Sequence, residues 1–255
     1  MKELFNIKGK TALITGGGQG IGRSITLALA EFGADVIINY RSNIALAEET
    51  KKAAEAFGVK AYLWQFDLAN DNIKEAWQNF AESNSLSPDI LVANASLQYR
   101  AAWDEVTFEQ FNAQMNVNLR STLALIQLLQ PDMKSRGWGR ILTIGSVQQE
   151  RPHKDMCIYA ASKSGLVNLV KNLAPRFAPF GITINNLAPG AIATARNVEA
   201  LADEKYKKIV ESNIPLGFVG NPDDCAGTAL LLCSDAGRYI TGADSFVDGG
   251  LSLRF

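Results

Sequence analysis

Lys10-Thr11-Ala12-Leu13-Ile14-Thr15-Gly16-Gly17-Gly18-Gln19-Gly20-Ile21-Gly22 is the stretch on which the fold turns. Lys10 to Thr15 reads as a short apolar strand. Ile21, Ile25, Leu29 and Phe32 then recur at helical spacing, and the pattern stops near Gly33. Strand, glycine loop and helix in that order make a phosphate cradle. Glycines admit a close approach of the backbone, and the first turn of a helix offers free N–H groups. The Gly-x-Gly-x-x-Gly spacing is absent; Thr15-Gly16-x-x-x-Gly20-x-Gly22 stands in its place.

The same alternation continues outward. Asp35 to Asn39, Ala61 to Phe66, Asp89 to Ala93, Arg140 to Gly145, Ile182 to Asn186 and Ser245 to Asp248 read as strands. Helical patterns separate them, among them one long helix from Phe111 to Lys134, a helix from about Met156 that ends before Pro175, and a polar helical segment, Ala195 to Asn213, suited to a lid. Asn116 and Asn118 sit inside the long helix, where Asn is a poor helix former; each is either solvated or turned inward to bend the helix and hold a water. Seven strands alternating with helices predict an α/β fold: a single doubly wound Rossmann-type domain, 1–255, with a seven-stranded parallel sheet. Its dinucleotide-binding half is about 1–140 and its catalytic half about 141–255, without a domain boundary between them.

Composition bounds the function. The chain has 255 residues, 47% apolar and 20% charged, with net charge −1, which fits a soluble globular protein and gives no electrostatic footprint for nucleic acid or an anionic membrane. The start lacks a signal-peptide apolar region, no apolar run approaches membrane-spanning length, and Cys157, Cys225 and Cys233 are too scattered for a metal site. The expectation is a cytoplasmic protein with reduced thiols, no metal, no nucleic-acid or membrane partner, and a small-molecule substrate.

The second informative stretch is Ser146 to Lys163. Ser146 ends a strand, Tyr159 opens a helix thirteen residues later, and Lys163 follows at i+4, one turn along the same face. A phenol with a free pKa of roughly 10 becomes a usable acid or base beside an ammonium. Ser146 could hold a substrate oxygen while Tyr159 moves a proton. Gln148, Gln149, His153, Met156 and Cys157 fill the intervening loop; its polar side chains suit a hydroxylated substrate such as a sugar or polyol. At the end of the second strand an acidic residue would suit the ribose hydroxyls of NAD, and an arginine the 2′-phosphate of NADP. The chain has Asn39, then Arg41 and Ser42, which favours NADP, although Arg41 read alone is an ordinary loop charge. Asp67, at the end of the third strand, either accepts from an adenine amino group or caps the next helix.

Taken together these motifs resemble the short-chain dehydrogenase/reductase family over nearly the whole chain: Thr15 to Gly22, Asp67, Asn94-Ala95, Asn118, Ser146, Tyr159-x-x-x-Lys163, Pro189-Gly190-x-Ile192-x-Thr194 and Val247-Asp248-Gly249-Gly250. The chain is most similar to 3-oxoacyl-carrier-protein reductases and to glucose or polyol dehydrogenases of that family. The resemblance implies a catalytic group of Asn118, Ser146, Tyr159 and Lys163, with Tyr159 the acid/base, Lys163 holding the nicotinamide ribose, Ser146 orienting the carbonyl or alcohol, and Asn118 anchoring a water that links Lys163 to solvent. It implies a cofactor site of Gly16, Gly18, Gln19, Gly20, Ile21, Gly22, Asn39, Arg41, Ser42, Asp67, Leu68, Asn94, Ala95, Tyr159, Lys163, Pro189, Gly190, Ile192 and Thr194, with Ser96, Gln148 and His153 as candidate substrate contacts. It further implies a homotetramer built on the long central helices and the C-terminal segment. The chain departs from the family pattern twice: Ser96 stands where glycine is common, and Gln19 where many NADP users carry arginine. The expected function is NAD(P)-dependent hydride transfer between a nicotinamide cofactor and a secondary alcohol or carbonyl of sugar, polyol or 3-oxoacyl type. The alternatives are a catalytically silent cofactor-binding regulator and a nucleotide-sugar epimerase or dehydratase.

Overall fold

A computed structural model describes residues 2–253; the ends of the expected domain, residues 1, 254 and 255, lie outside the described residues. Seven strands, β1 (Thr11–Thr15), β2 (Asp35–Tyr40), β3 (Ala61–Gln65), β4 (Ile90–Ala93), β5 (Gly139–Ile144), β6 (Ile182–Pro189) and β7 (Asp244–Val247), form one parallel sheet in the order β3-β2-β1-β4-β5-β6-β7. The helices are α1 (Lys2–Phe5), α2 (Gly20–Glu31), α3 (Ile44–Glu55), α4 (Ile73–Asn84), α5 (Phe108–Met115), α6 (Ser121–Arg136), α7 (Cys157–Phe177), α8 (Val198–Leu201), α9 (Glu204–Ser212) and α10 (Pro222–Cys233).

The strands are apolar on both sides because both faces of the sheet are covered. One face packs Ile14, Val36, Ile38 and Val92 against Ile25 and Leu29 of α2 and Leu230 of α10. The other packs Leu13, Ile37 and Leu91 against Leu125, Ile126 and Leu129 of α6 and Val170 of α7. Chain order reverses between β1 and β4, and in doubly wound sheets the cleft opens at that switch point, outside the strands' carboxyl ends. No helix of the described residues is long and apolar enough to cross a membrane.

Two expectations are corrected. The single helix expected over Phe111 to Lys134 is α5 and α6 joined through a π-helical turn, Asn116–Arg120. The wider turn swings Asn118 into the interior, where it is 1% exposed. α7 continues through Pro175 to Phe177, with the proline confined to the last turn.

Candidate active site

The glycine loop is shaped by contacts no other residue allows. Gly16 and Gly20 adopt φ of +62° and +52°, in the left-handed region glycine enters without strain. A Cβ on Gly22 would stand 2.2 Å from the Gly16 oxygen and 2.6 Å from Asn94 Nδ2, so loop and helix meet backbone to backbone. Gln19, at the N-cap of α2, makes no side-chain capping bond; the N–H groups of the first turn are left open to the cleft. Thr15 fastens the loop to the end of β4, its Oγ1 accepting from the N–H groups of Asn94 and Ala95, both at 2.9 Å. Asn94 Nδ2 donates back to the Thr15 and Gly16 oxygens at 2.9 and 3.2 Å.

Asn39 lines the cleft, but its amide is engaged inside the protein. It accepts from the Gly16 N–H at 3.4 Å and donates to the Trp64 and Phe66 oxygens at 3.2 and 3.1 Å. Its work is to lock the glycine loop to β3. Arg41 and Ser42, just beyond, are exposed at the same end of the cleft, which the half-buried Asp67 and the buried Leu68 also line. Asp67 caps the Ala69 N–H at 3.0 Å, whereas the N-cap of α4 is Asn72.

Ser146 leaves β5 in extended geometry, its Oγ accepting from the Gln148 N–H at 3.2 Å and its own N–H pointing to Gln149 Oε1 at 3.3 Å. Below it lies a polar network that the sequence did not disclose. Asp244 accepts from Gln149 Nε2 at 2.6 Å and Asn186 Nδ2 at 2.7 Å, and Asn186 Oδ1 accepts from Thr143 at 2.6 Å. β5, the middle of β6 and the start of β7 are thereby tied to the turn that follows the serine.

Tyr159 and Lys163 sit on successive turns of α7, 7% and 1% exposed. Lys163 Nζ lies 5.5 Å from the Tyr159 ring centroid and donates to the Ile144 oxygen at 2.7 Å. Burial, with a smaller contribution from the nearby Arg196 guanidinium, pushes its pKa from 10.5 to about 7. Asn118 does not reach Lys163. Its Oδ1 accepts from the Leu97 N–H at 2.7 Å, and its Nδ2 donates to the Leu97 oxygen at 2.9 Å and to Ser162 Oγ at 3.0 Å. Both donors are used in clamping the loop after β4 to α7.

One cavity of about 840 Å³ gathers these groups. It runs from Arg41, Ser42 and Asp67 past Gly16 to Gly22, Asn94 and Ala95 to Ser146, Tyr159 and Lys163, with Pro189, Gly190, Ile192 and Thr194 along one wall. Ser96, Gln148 and His153 border the far end. Asn118 is absent from the lining. His153 is half exposed, its main-chain N–H donating to Gln148 Oε1 at 2.6 Å and its Nδ1 accepting from the Asp155 N–H at 3.2 Å. Sequence reading missed Arg100 and Arg196, which line the same end; neither belongs to a motif, and only the fold brings them there.

A family profile described as enoyl-(acyl carrier protein) reductase matches residues 16–252. The chain belongs to the short-chain dehydrogenase/reductase family. Among its relatives, the 2-dehydro-3-deoxy-D-gluconate 5-dehydrogenase of Bacillus subtilis is 36% identical over 98% of this chain and 97% of that one. The 3beta-hydroxysteroid dehydrogenase 1 of Eggerthella lenta is 35% identical over 97% and 95%. A solved gluconate 5-dehydrogenase of Burkholderia cenocepacia, in complex with NADP and tartrate, superposes with a TM-score of 0.92 at 34% identity, covering 100% of this chain and 99% of that one. The chain is an NAD(P)-dependent oxidoreductase acting on CH–OH and C=O groups. These relatives speak for an enzyme and against the silent regulator.

Proposed function

We propose that the chain interconverts a secondary alcohol and a carbonyl on a small polyhydroxylated molecule, with NADP(H) preferred to NAD(H). The observation that carries this reading is the single cavity joining Ser146, Tyr159 and Lys163 to Arg41 and Ser42. The cradle fits a dinucleotide: glycines where a Cβ would collide, an uncapped helix N-terminus for the pyrophosphate, and Arg41, with no ion pair among the described residues, for a 2′-phosphate. Bound there, the nicotinamide supplies the hydride chemistry.

The chain's own groups do the rest. Tyr159 Oη gives or takes the proton at the substrate oxygen, Ser146 Oγ holds that oxygen, and Lys163 favours the tyrosinate charge from beside the ring. Asn118 sets the loop wall through Leu97, with both of its side-chain donors engaged by Leu97 and Ser162. Residues of about 1–140 supply most of the cofactor cradle, and those of about 141–255 supply the catalytic Ser146, Tyr159 and Lys163 together with the Pro189–Thr194 wall. Gln148, His153, Arg100 and Arg196 bring polar groups to the substrate end, which suits a hydroxylated substrate. Free Cys225 and Cys233, pushed by burial to about 12, suit a reducing cytoplasm. Exposed Phe108, Phe111 and Leu123 on α5 and α6, with Tyr239 near the C-terminal segment, offer apolar surface for a homotetramer.

A spectrophotometric screen tests the reading, pairing NADP or NAD with polyols, aldoses and sugar acids, and NADPH or NADH with keto-sugars and 3-oxoacyl thioesters. The expected result is NADP-linked turnover of a polyhydroxylated substrate that Tyr159→Phe abolishes while cofactor affinity is kept. Turnover of acyl thioesters alone, or an active Tyr159→Phe, overturns it.

A further inference from the structure

Arg196 follows the Pro189–Thr194 wall, on the segment that leads into α8 and α9. Its base is fixed, because Asn197 Nδ2 donates to the Ile192 oxygen at 3.0 Å and the Asn197 and Val198 N–H groups return to the Thr194 oxygen at 2.8 and 3.0 Å. From there the guanidinium crosses the cleft. Its Nη2 donates to the Ser96 oxygen at 2.9 Å and to Ser96 Oγ at 3.2 Å, joining the β6 wall to the loop after β4. Both acceptors are neutral and Arg196 has no ion pair among the described residues, an arrangement that leaves a planar two-pronged donor without the anion it matches best.

The surroundings carry the same sign. Arg100 lines this end beside His153, Lys163 lies below, and the one carboxylate in the cavity lining, Asp67, sits at the Arg41 end. Asp155, 3.8 Å from His153 Nδ1, is outside the lining. Arg196 also adds to the effect that lowers the Lys163 pKa, so an anion received between the two would relieve a like-charge contact.

We propose that Arg196 is the residue that selects an acidic substrate: the carboxylate of a polyhydroxylated acid takes the guanidinium from Ser96 and anchors the chain whose hydroxyl faces Ser146 and Tyr159. This inference rests on the polyhydroxylated-substrate reading and narrows it from sugars and polyols to their acids. Arg100 adds positive potential at the mouth, and Arg196 makes the direct pair.

The test compares D-gluconate with its neutral counterpart D-glucitol on the wild-type protein, Arg196→Leu and Arg196→Lys, each saturated with NADP. Calorimetry reads binding and initial rates read kcat and KM. Arg196→Leu is expected to weaken D-gluconate by about 10- to 100-fold, the loss of one charged hydrogen-bonded pair. The effect falls on KM more than on kcat, so the acid-to-neutral ratio of kcat/KM drops by a similar factor. Arg196→Lys, which keeps the charge and loses the fork, recovers part of it. The proposal is overturned if wild-type protein takes D-glucitol as well as D-gluconate, or if Arg196→Leu weakens both in proportion. It is overturned too if the variant weakens NADP itself by the same factor, since Arg196 is then a cofactor contact. If the wild-type protein binds and turns over neither compound, the polyhydroxylated-substrate reading falls and takes this inference with it.

Discussion

Lys163→Met should make the ligand-free protein more stable and inactive, and the gain should depend on pH with a definite sign. Lys163 is 1% exposed, and its folded-state pKa is about 7 against an ordinary 10.5. Below pH 7 both folded and unfolded chains hold the proton, and the buried ammonium costs the fold the whole difference. Above 10.5 neither holds it and the cost is gone. Stability therefore rises with pH across the window from about 7 to 10.5, where the unfolded chain binds the extra proton. At about 1.36 kcal/mol for each pH unit the full cost is roughly 5 kcal/mol. Methionine removes the charge at similar volume but strips the Ile144 oxygen of its donor, a loss of about 1–3 kcal/mol. The variant should thus be more stable by about 2–4 kcal/mol at pH 6.5 and close to parity at pH 9.5. Urea unfolding followed by far-ultraviolet circular dichroism at pH 6.5, 8.0 and 9.5 measures this. Groups common to both proteins cancel in the difference. A difference that stays flat with pH, or a wild type that is the more stable at pH 6.5, would refute the reasoning. A more stable but inactive variant fits a buried charge kept for chemistry at the expense of the fold.

The cofactor cradle makes two further predictions. Arg41→Ala should weaken NADPH by about 1.5–3 kcal/mol while NADH changes little; fluorescence titration reads both, and an equal loss for the two makes Arg41 a bystander. Since Arg41 is exposed and unpaired among the described residues, its removal should leave the melting temperature nearly unchanged. Gly22→Ala drives a Cβ to within 2.2 Å of the Gly16 oxygen, a backbone atom that cannot step aside, and should cost about 1–3 kcal/mol of stability. Thermal melting with and without NADP should show a lower midpoint and the loss of the cofactor-induced rise; a wild-type rise would mean that the loop tolerates the displacement.

What the sequence disclosed and what it withheld divide along a physical line. Strands, helices and glycine loop were legible because each is written in local periodicity: apolar runs for strands buried on both faces, 3.6-residue recurrence for α2, glycine at φ values other residues avoid. Tyr159 and Lys163 were legible for the same reason, since i and i+4 share a helical face. The poor helix propensity of Asn116 and Asn118 marked the place where α5 and α6 break into a π turn, but propensity could not say where Asn118 would point. Its partners, Leu97 and Ser162, are 21 and 44 residues away. Asn39 lines the cleft at the end of β2, as its position suggests, but the residues that hold its amide, Trp64 and Phe66, come from β3 and the residue just after it, which the sequence near Asn39 does not show. Arg196 is the extreme case: it meets Ser96 across 100 residues, at a point fixed only by the β3-β2-β1-β4-β5-β6-β7 order that sets the β4 and β6 ends on opposite sides of β5. A motif preserves the spacing that shared chemistry demands. A specificity contact is free to come from any loop the topology brings to the cleft, so the reaction class could be read from the chain, whereas the residue proposed to select the substrate had to be sought in space.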